Sequence, residues 1–468
     1  MNATTANYTA ELASFAANAT LSAIPTSFLA LLSIYMLDNF AVMLTGSVQP
    51  IYRSAVEMVH WTYGNDSSQA YSAIDGTTTS LSGQMLLMGF AAGDFEYNHI
   101  IEAAHPSSTV FPALLSVAAA YHKTGEELLT AMAVGYEFAT RIGAATTLEV
   151  EYVKGFHAIG INGYLATAAA VGNLLGYDTD TIASAMGIAA SSASGLQAYT
   201  TNGAMTRRLH PARAGQLGAE AALMAHAGIV GPPDVIENPQ GYLHAFSPEP
   251  LTDLLTEGLG TDWTSADMVL KLYPVHAWAQ GFVYAINNYR SQTNQTWNAD
   301  DISNVTIYGG PFVLDPVTWI PNPPSFAIAQ YSVPFAIAAA LTTDLRDLLV
   351  MNDALASDPK ISSIAAGMSQ IQISDVDDYP WGYMTLEIGE EELNITVEEY
   401  PGLPGAEGYR EAAEDKFAGV TESLGVAGAG NVMKEMIMKV RDLEDVSLLV
   451  DEMVGVGKMA VAYFAARR

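Results

Sequence analysis

Cysteine is absent from the 468 residues. Its absence excludes disulfides, thiol nucleophiles and any cysteine-ligated iron–sulfur cluster. Basic side chains are also scarce: 19 Lys plus Arg stand against 50 Asp plus Glu, for a formal charge of −31 at pH 7. A surface so poor in cations repels phosphate backbones, which excludes nucleic acid as a partner. The same balance suits life in high salt or acid. Long apolar runs are missing too. The longest near the N-terminus, Phe28 to Leu37, stops at Asp38-Asn39, short of the 18 or more residues of a membrane span. The first residues lack the basic start and apolar stretch of a signal peptide and do not support mitochondrial import, so a cytoplasmic protein without membrane association is expected. The sequons at Asn2, Asn7, Asn18, Asn65, Asn294, Asn304 and Asn394 then read as chance in an Asn- and Thr-rich chain. Neither an H-E-x-x-H metal spacing, nor a P-loop, nor a G-x-S-x-G elbow occurs, so metal, nucleotide and serine-hydrolase chemistry lose support together.

What remains is an ordinary globular mixture, 50% hydrophobic with 39 Gly and 21 Pro, in a chain long enough for one large core or several. From Tyr8 to about Gly260 apolar residues recur at three and four, as in Val110 to Tyr121, Glu126 to Ile142, Ile161 to Leu175, Thr181 to Ser194 and Gly218 to Ala227. This predicts an all-helical domain. Near residue 300 the period changes. Val305-Thr-Ile-Tyr, Gln370-Ile-Gln-Ile, Tyr383-Met-Thr-Leu-Glu-Ile and Asn394-Ile-Thr-Val-Glu read as strands, with a helix over Val333 to Leu341. A smaller α+β unit is expected there. Past Pro401-Gly-Leu-Pro-Gly the chain is helical again, and periodicity alone leaves open whether it rejoins the first domain or forms a third.

Four segments hold polar residues that a core does not need. In Gly93-Asp94-Phe-Glu96-Tyr-Asn98-His99, followed by Ala104-His105-Pro106-Ser107-Ser108, Pro106 and Ser107 open an apolar helix whose free backbone donors suit a carboxylate beside His105. The plain alternative is that His105 caps the helix. Lys154-Gly-Phe-His157 opens a second helix rich in Gly and Ala, a close-packed platform for His157 or merely the surroundings of a core histidine. Met205-Thr-Arg207-Arg208-Leu-His210-Pro-Ala-Arg213 concentrates positive charge suited to carboxylates, or lies on a solvated face. Lys271-Leu-Tyr-Pro274-Val-His276 falls at the boundary of the two units, where clefts form, or serves as a linker.

Taken in order, these segments resemble the MmgE/PrpD family, which includes 2-methylcitrate dehydratases, cis-aconitate decarboxylases and iminodisuccinate epimerases. Gly135-Tyr-Glu-Phe-Ala-Thr-Arg141-Ile-Gly, Leu175-Gly-Tyr-Asp, Ala185-Met-Gly-Ile-Ala-Ala-Ser-Ser-Ala-Ser-Gly195 and Gln330-Tyr-Ser-Val-Pro-Phe-Ala-Ile-Ala extend the likeness over nearly the whole chain. The resemblance implies a mainly α protein, with a large helical domain from residues 1–268 and 402–468 and a smaller α+β lid from 269–401, pairing as a homodimer. It also implies a cleft between domain and lid that works without a metal or an organic cofactor on a small-molecule carboxylate. The matching catalytic positions are Asp94, His105, His157 and His276, and the expected substrate-binding positions are Arg207, Lys271, Asn98, Arg208 and Ser107. Two departures stand out. Asn98 replaces a threonine of decarboxylase-like members, with the Asp94 to His105 spacing one residue longer, and Arg207 replaces a lysine. Arginine keeps the charge but does not give up a proton. The expected function is a lyase acting on a di- or tricarboxylate by proton transfer next to a carboxylate. An epimerase of an iminodisuccinate-like substrate and a non-catalytic carboxylate binder are the alternatives.

Overall fold

A computed structural model describes residues 7–64, 71–93, 95–374 and 381–467. Its centre is the 22-residue helix Thr26–Ser47, buried on nearly every face. A helix apolar all round belongs in a core. The apolar run expected to end at Asp38-Asn39 continues through both residues, which makes the helix long and apolar enough to cross a membrane by length and composition. Most of it is packed inside the fold instead. Burial of Asp38 is possible because its carboxylate is matched: Oδ2 meets His99 Nδ1 at 2.8 Å and Oδ1 accepts from Lys416 Nζ at 2.6 Å.

Leu81–Gly93, Pro106–Ala120, Gly125–Thr146, Ala158–Leu174 and Thr206–His226 build the rest of the helical body. Thr124 and Glu127 close a capping box at the start of Gly125–Thr146. Small residues let these helices touch. A Cβ on Gly215 would fall 2.3 Å from Thr109 O, and one on Gly160 would fall 3.0 Å from His210 Cβ, so the platform expected beneath His157 is a close helix crossing. The stretch read as wholly helical also holds a short antiparallel ribbon, Tyr71–Ser72 with Thr78–Thr79, turned at Gly76 with φ 85°. Two residues per strand are too few for a period to register. The Gly218 to Ala227 helix begins earlier than expected, at Thr206, and runs through Pro211.

The sheet-bearing part carries four strands in the order Ser369–Gln372, Ile302–Gly309, Gly382–Ile388, Glu391–Val397. The first pair is parallel and the other two antiparallel. Alternation buries Met384, Leu386, Ile395 and Val397, with Gln280–Thr293 packed on Glu391–Val397, Pro359–Gly367 on Ile302–Gly309, and Val333–Thr342 on both helices. The C-terminal helices return to the helical body. Tyr409–Ser423 lies on Thr26–Ser47, with Phe417 against Phe40 at a 6.0 Å ring separation, and Ser447–Ala465 packs on Pro106–Ala120. Hydrogen bonds join the two parts. Ile100 pairs with Val269 as an isolated β-bridge, and Gln330 Nε2 donates to Phe95 O at 2.9 Å and Pro274 O at 3.0 Å.

Candidate active site

Between the helical body and the sheet-bearing part lies a cleft of about 60 Å³. Its polar lining includes Glu96, His105, Glu151, His157, Arg207, Lys271 and His276. Glu96 anchors it. The residue has φ 52°, a left-handed conformation uncommon for a side chain with a Cβ, and this turn lets one carboxylate serve two cations. Oε1 pairs with Arg207 Nη2, and Oε2 accepts from Lys271 Nζ at 2.9 Å. Burial alone would push the Glu96 carboxyl up, but Arg207 and Lys271 overcome it and hold the group well below the usual carboxylate range. Lys271 is lowered by burial although Glu96 opposes the shift. Arg207 also lies 5.5 Å from the Tyr331 ring centroid.

Three histidines face this pair of cations from three element starts. His105 occupies the N-cap of Pro106–Ala120, yet its ring makes no capping hydrogen bond. Nδ1 instead meets Asn98 Nδ2 at 2.8 Å. His157 precedes Ala158–Leu174, also without capping, and its Nδ1 lies 3.0 Å from His210 Nδ1. His276 caps the short turn Ala277–Ala279: Nδ1 accepts from Trp278 N at 3.4 Å, and Tyr331 stands edge-on at 4.4 Å. Burial pushes all of them down. His276 falls to about 3 and His210 to about 4, with Arg207 adding to both, while His105 and His157 fall well below their ordinary value. The site at neutral pH therefore holds neutral imidazoles beside the Glu96 carboxylate and its two cations. Glu151 departs in the other direction: burial raises it to about 7, against the pull of Ala158 N, which donates to Oε1 at 2.8 Å.

Of the expected residues, His105, His157, His276, Arg207 and Lys271 line the cleft together. Asn98 and Ser107 stand directly behind His105 and are buried at 4% and 0% exposure. Arg208 reaches Gln330 Oε1 at 3.4 Å and lines a neighbouring cavity of about 20 Å³. Asp94 lies outside the described residues. The concentrated arginine patch is divided by helix geometry, since successive residues turn about 100°. Arg207 enters the cleft, Arg208 turns to Gln330, and Arg213 points away to Tyr63 OH at 3.0 Å and Gln216 Oε1 at 2.9 Å. His210, three residues after Arg207, returns to the same side and meets His157.

Glu96, Glu151 and Tyr331 were not singled out as site residues by the sequence. Glu96 sits inside the acidic segment, where the longer Asp94 to His105 spacing was the available sign of a rearranged loop. Tyr331 belongs to the Gln330-Tyr-Ser-Val-Pro-Phe match, while Glu151 lies on the four-residue helix Glu149–Tyr152, too short to show a period. A larger cavity, about 930 Å³, lies elsewhere, beside Tyr409–Ser423. Asp344, Asp347, Glu407 and Glu411 line it, and such a wall repels a polyanion. Among the described residues no group of three or more His, Asp or Glu is placed to hold a metal ion.

The profile of the MmgE/PrpD N-terminal domain matches residues 10–254, more than half of the chain and the portion that carries Glu96, His105, His157 and Arg207. The chain belongs to the MmgE/PrpD family. Among its relatives, a cis-aconitate decarboxylase-like protein of Aspergillus oryzae is 27% identical over 317 residues, covering 64% of this chain and 65% of that protein. The cis-aconitate decarboxylase of Aspergillus terreus is 30% identical over 269 residues, 53% of this chain and 54% of its own length. The human cis-aconitate decarboxylase is 30% identical over 181 residues, 37% of each chain. The match thus spans about two thirds or less of these MmgE/PrpD relatives.

Proposed function

We propose that this MmgE/PrpD protein is a lyase that acts on a di- or tricarboxylate, with cis-aconitate as the first candidate, by proton transfer next to a carboxylate and without an organic cofactor. The observation that carries the reading is the meeting of Arg207 and Lys271, both held by Glu96, with His105, His157 and His276 around one cleft. A substrate carboxylate takes the positive faces of Arg207 and Lys271 that Glu96 leaves open. In decarboxylation the carbon–carboxylate bond breaks, its electron pair stays on the carbon, carbon dioxide leaves, and a proton is returned to that carbon from the site. Buildup of negative charge next to a retained carboxylate is the costly step, and fixed cations in a buried cleft lower that cost. The names of the relatives favour this chemistry over dehydration.

At about 60 Å³ the cleft has room for roughly two water molecules. A tricarboxylate needs more, so on this reading side chains lining the cleft move apart to admit it. The contact between Tyr152 OH and Asp315 Oδ2, at 3.1 Å and exposed to water, crosses between the two parts and is weak enough to part. The test is incubation with cis-aconitate, 2-methylcitrate, citrate and iminodisuccinate, comparing the unmodified protein with Arg207→Ala and Arg207→Lys. The reading predicts turnover of one acid, a loss of kcat/KM of about 30- to 1000-fold in Arg207→Ala, and retention in Arg207→Lys. Turnover unaffected by Arg207→Ala contradicts it.

A further inference from the structure

Behind His105 the hydrogen bonds can be followed proton by proton. Ser107 has one hydroxyl hydrogen, and its Oγ donates to His99 O at 3.1 Å. The group that faces Ser107 Oγ from the other side must therefore be a donor. That group is the Asn98 amide, whose Nδ2 lies 3.2 Å from Ser107 Oγ. The same nitrogen lies 2.8 Å from His105 Nδ1, so its second hydrogen points at the ring and Nδ1 must accept it. A neutral imidazole that accepts at Nδ1 carries its only proton on Nε2. His99, whose carbonyl begins the chain, is itself pinned between Asp38 Oδ2 at 2.8 Å and Tyr136 OH at 3.1 Å.

We propose that Asn98 is a positioning residue that locks His105 in the Nε2–H tautomer, so that His105 meets the substrate as a hydrogen-bond donor and not as a base. The donor role rests on the proposed lyase function; the tautomer does not. An amide at this position differs from a hydroxyl, which can turn to donate or accept and so leaves the ring free to take either tautomer. With Nε2–H facing the cleft, His105 adds a third donor to Arg207 and Lys271 for the charge that builds up as carbon dioxide departs. The proton returned to carbon must then come from another group. The His157–His210 pair and Glu151 are among the groups lining or adjoining the cleft that are not fixed in this way.

The tautomer is read directly by 15N NMR of histidine-labelled protein at pH 7, with the His105 signals assigned by their loss in His105→Gln. The expected spectrum has an unprotonated Nδ1 and a protonated Nε2; the reverse pattern, or two protonated nitrogens, overturns the proposal. Neutron diffraction of the unmodified protein gives the same answer without any variant. Asn98→Asp turns the donor into an acceptor and should exchange the two signals, whereas Asn98→Thr, whose hydroxyl can donate or accept, should give a mixture of the two tautomers. In turnover, Asn98→Asp should lower kcat about 10- to 100-fold with little change in KM, as expected when a donor acting only on the transition state is lost. Exchanged signals with unchanged kcat overturn the donor role and leave the tautomer lock standing. If no acid in the panel is turned over, the lyase reading fails while the spectrum still decides the tautomer.

Discussion

Glu96 is the residue on which the positive charge of the cleft depends. Its carboxylate is the shared partner of Arg207 and Lys271, so Glu96→Gln leaves two buried cations with no balancing charge. Breaking a buried pair by removing one partner costs about 3–5 kcal/mol, and denaturant unfolding should report a loss of this size. A change under about 1 kcal/mol would mean that the cations are solvated rather than paired. The histidines were legible in the sequence because each precedes a helix or turn in a segment with no structural need for it. Glu96 was not, because its role depends on a left-handed φ that brings an acid between residues more than 100 positions away, and spacing along the chain does not encode such a meeting. Asn98 was visible as a departure from the family, but its orientation becomes readable only once Ser107 and His105 stand on either side of it.

At the scale of elements, helix and turn starts present His105, His157 and His276, and burial keeps them neutral. Since His276 titrates at about 3 and His210 at about 4 when folded, against about 6.5 for an unfolded histidine, the unfolded chain binds more protons between those values. Stability must therefore fall as pH drops from about 6.5 toward 4, by at most about 1.4 kcal/mol per histidine per pH unit. Glu151 works in the opposite sense. Its folded value of about 7 lies above its ordinary 4.5, so the folded state binds the extra proton and stability is lost as pH rises from about 4.5 through 7, with no further loss above. Differential scanning calorimetry should show a falling Tm below pH 6.5, and Glu151→Gln should raise Tm at pH 8 more than at pH 5. A pH-independent Tm from 7 to 4.5 would contradict the neutral, buried histidines. The long helices and the period-two strands were legible from periodicity. The path of Thr206–His226 through Pro211 was obscured because a proline inside a helix reads as a break, and the return of Tyr409–Ser423 to the helical body depends on the partner that Lys416 finds in Asp38.

For the molecule as a whole, a charge of −31 surrounds a cleft lined by Arg207 and Lys271. Between about 0.01 and 0.15 M ionic strength the screening length shrinks from about 30 to 8 Å, which removes long-range repulsion while leaving the buried Arg207 and Lys271 nearly unscreened. On the proposed function, kcat/KM for a tricarboxylate should rise over that range, and a steady fall would place the controlling charge inside the cleft alone. The most direct measurement follows the carbon acid itself. Incubation with cis-aconitate in D2O, followed by 1H and 13C NMR, should show release of carbon dioxide with deuterium incorporated in the product, lost in Arg207→Ala and kept in Arg207→Lys. Neither turnover nor deuterium exchange with any of the four acids, from a folded protein, would contradict the account.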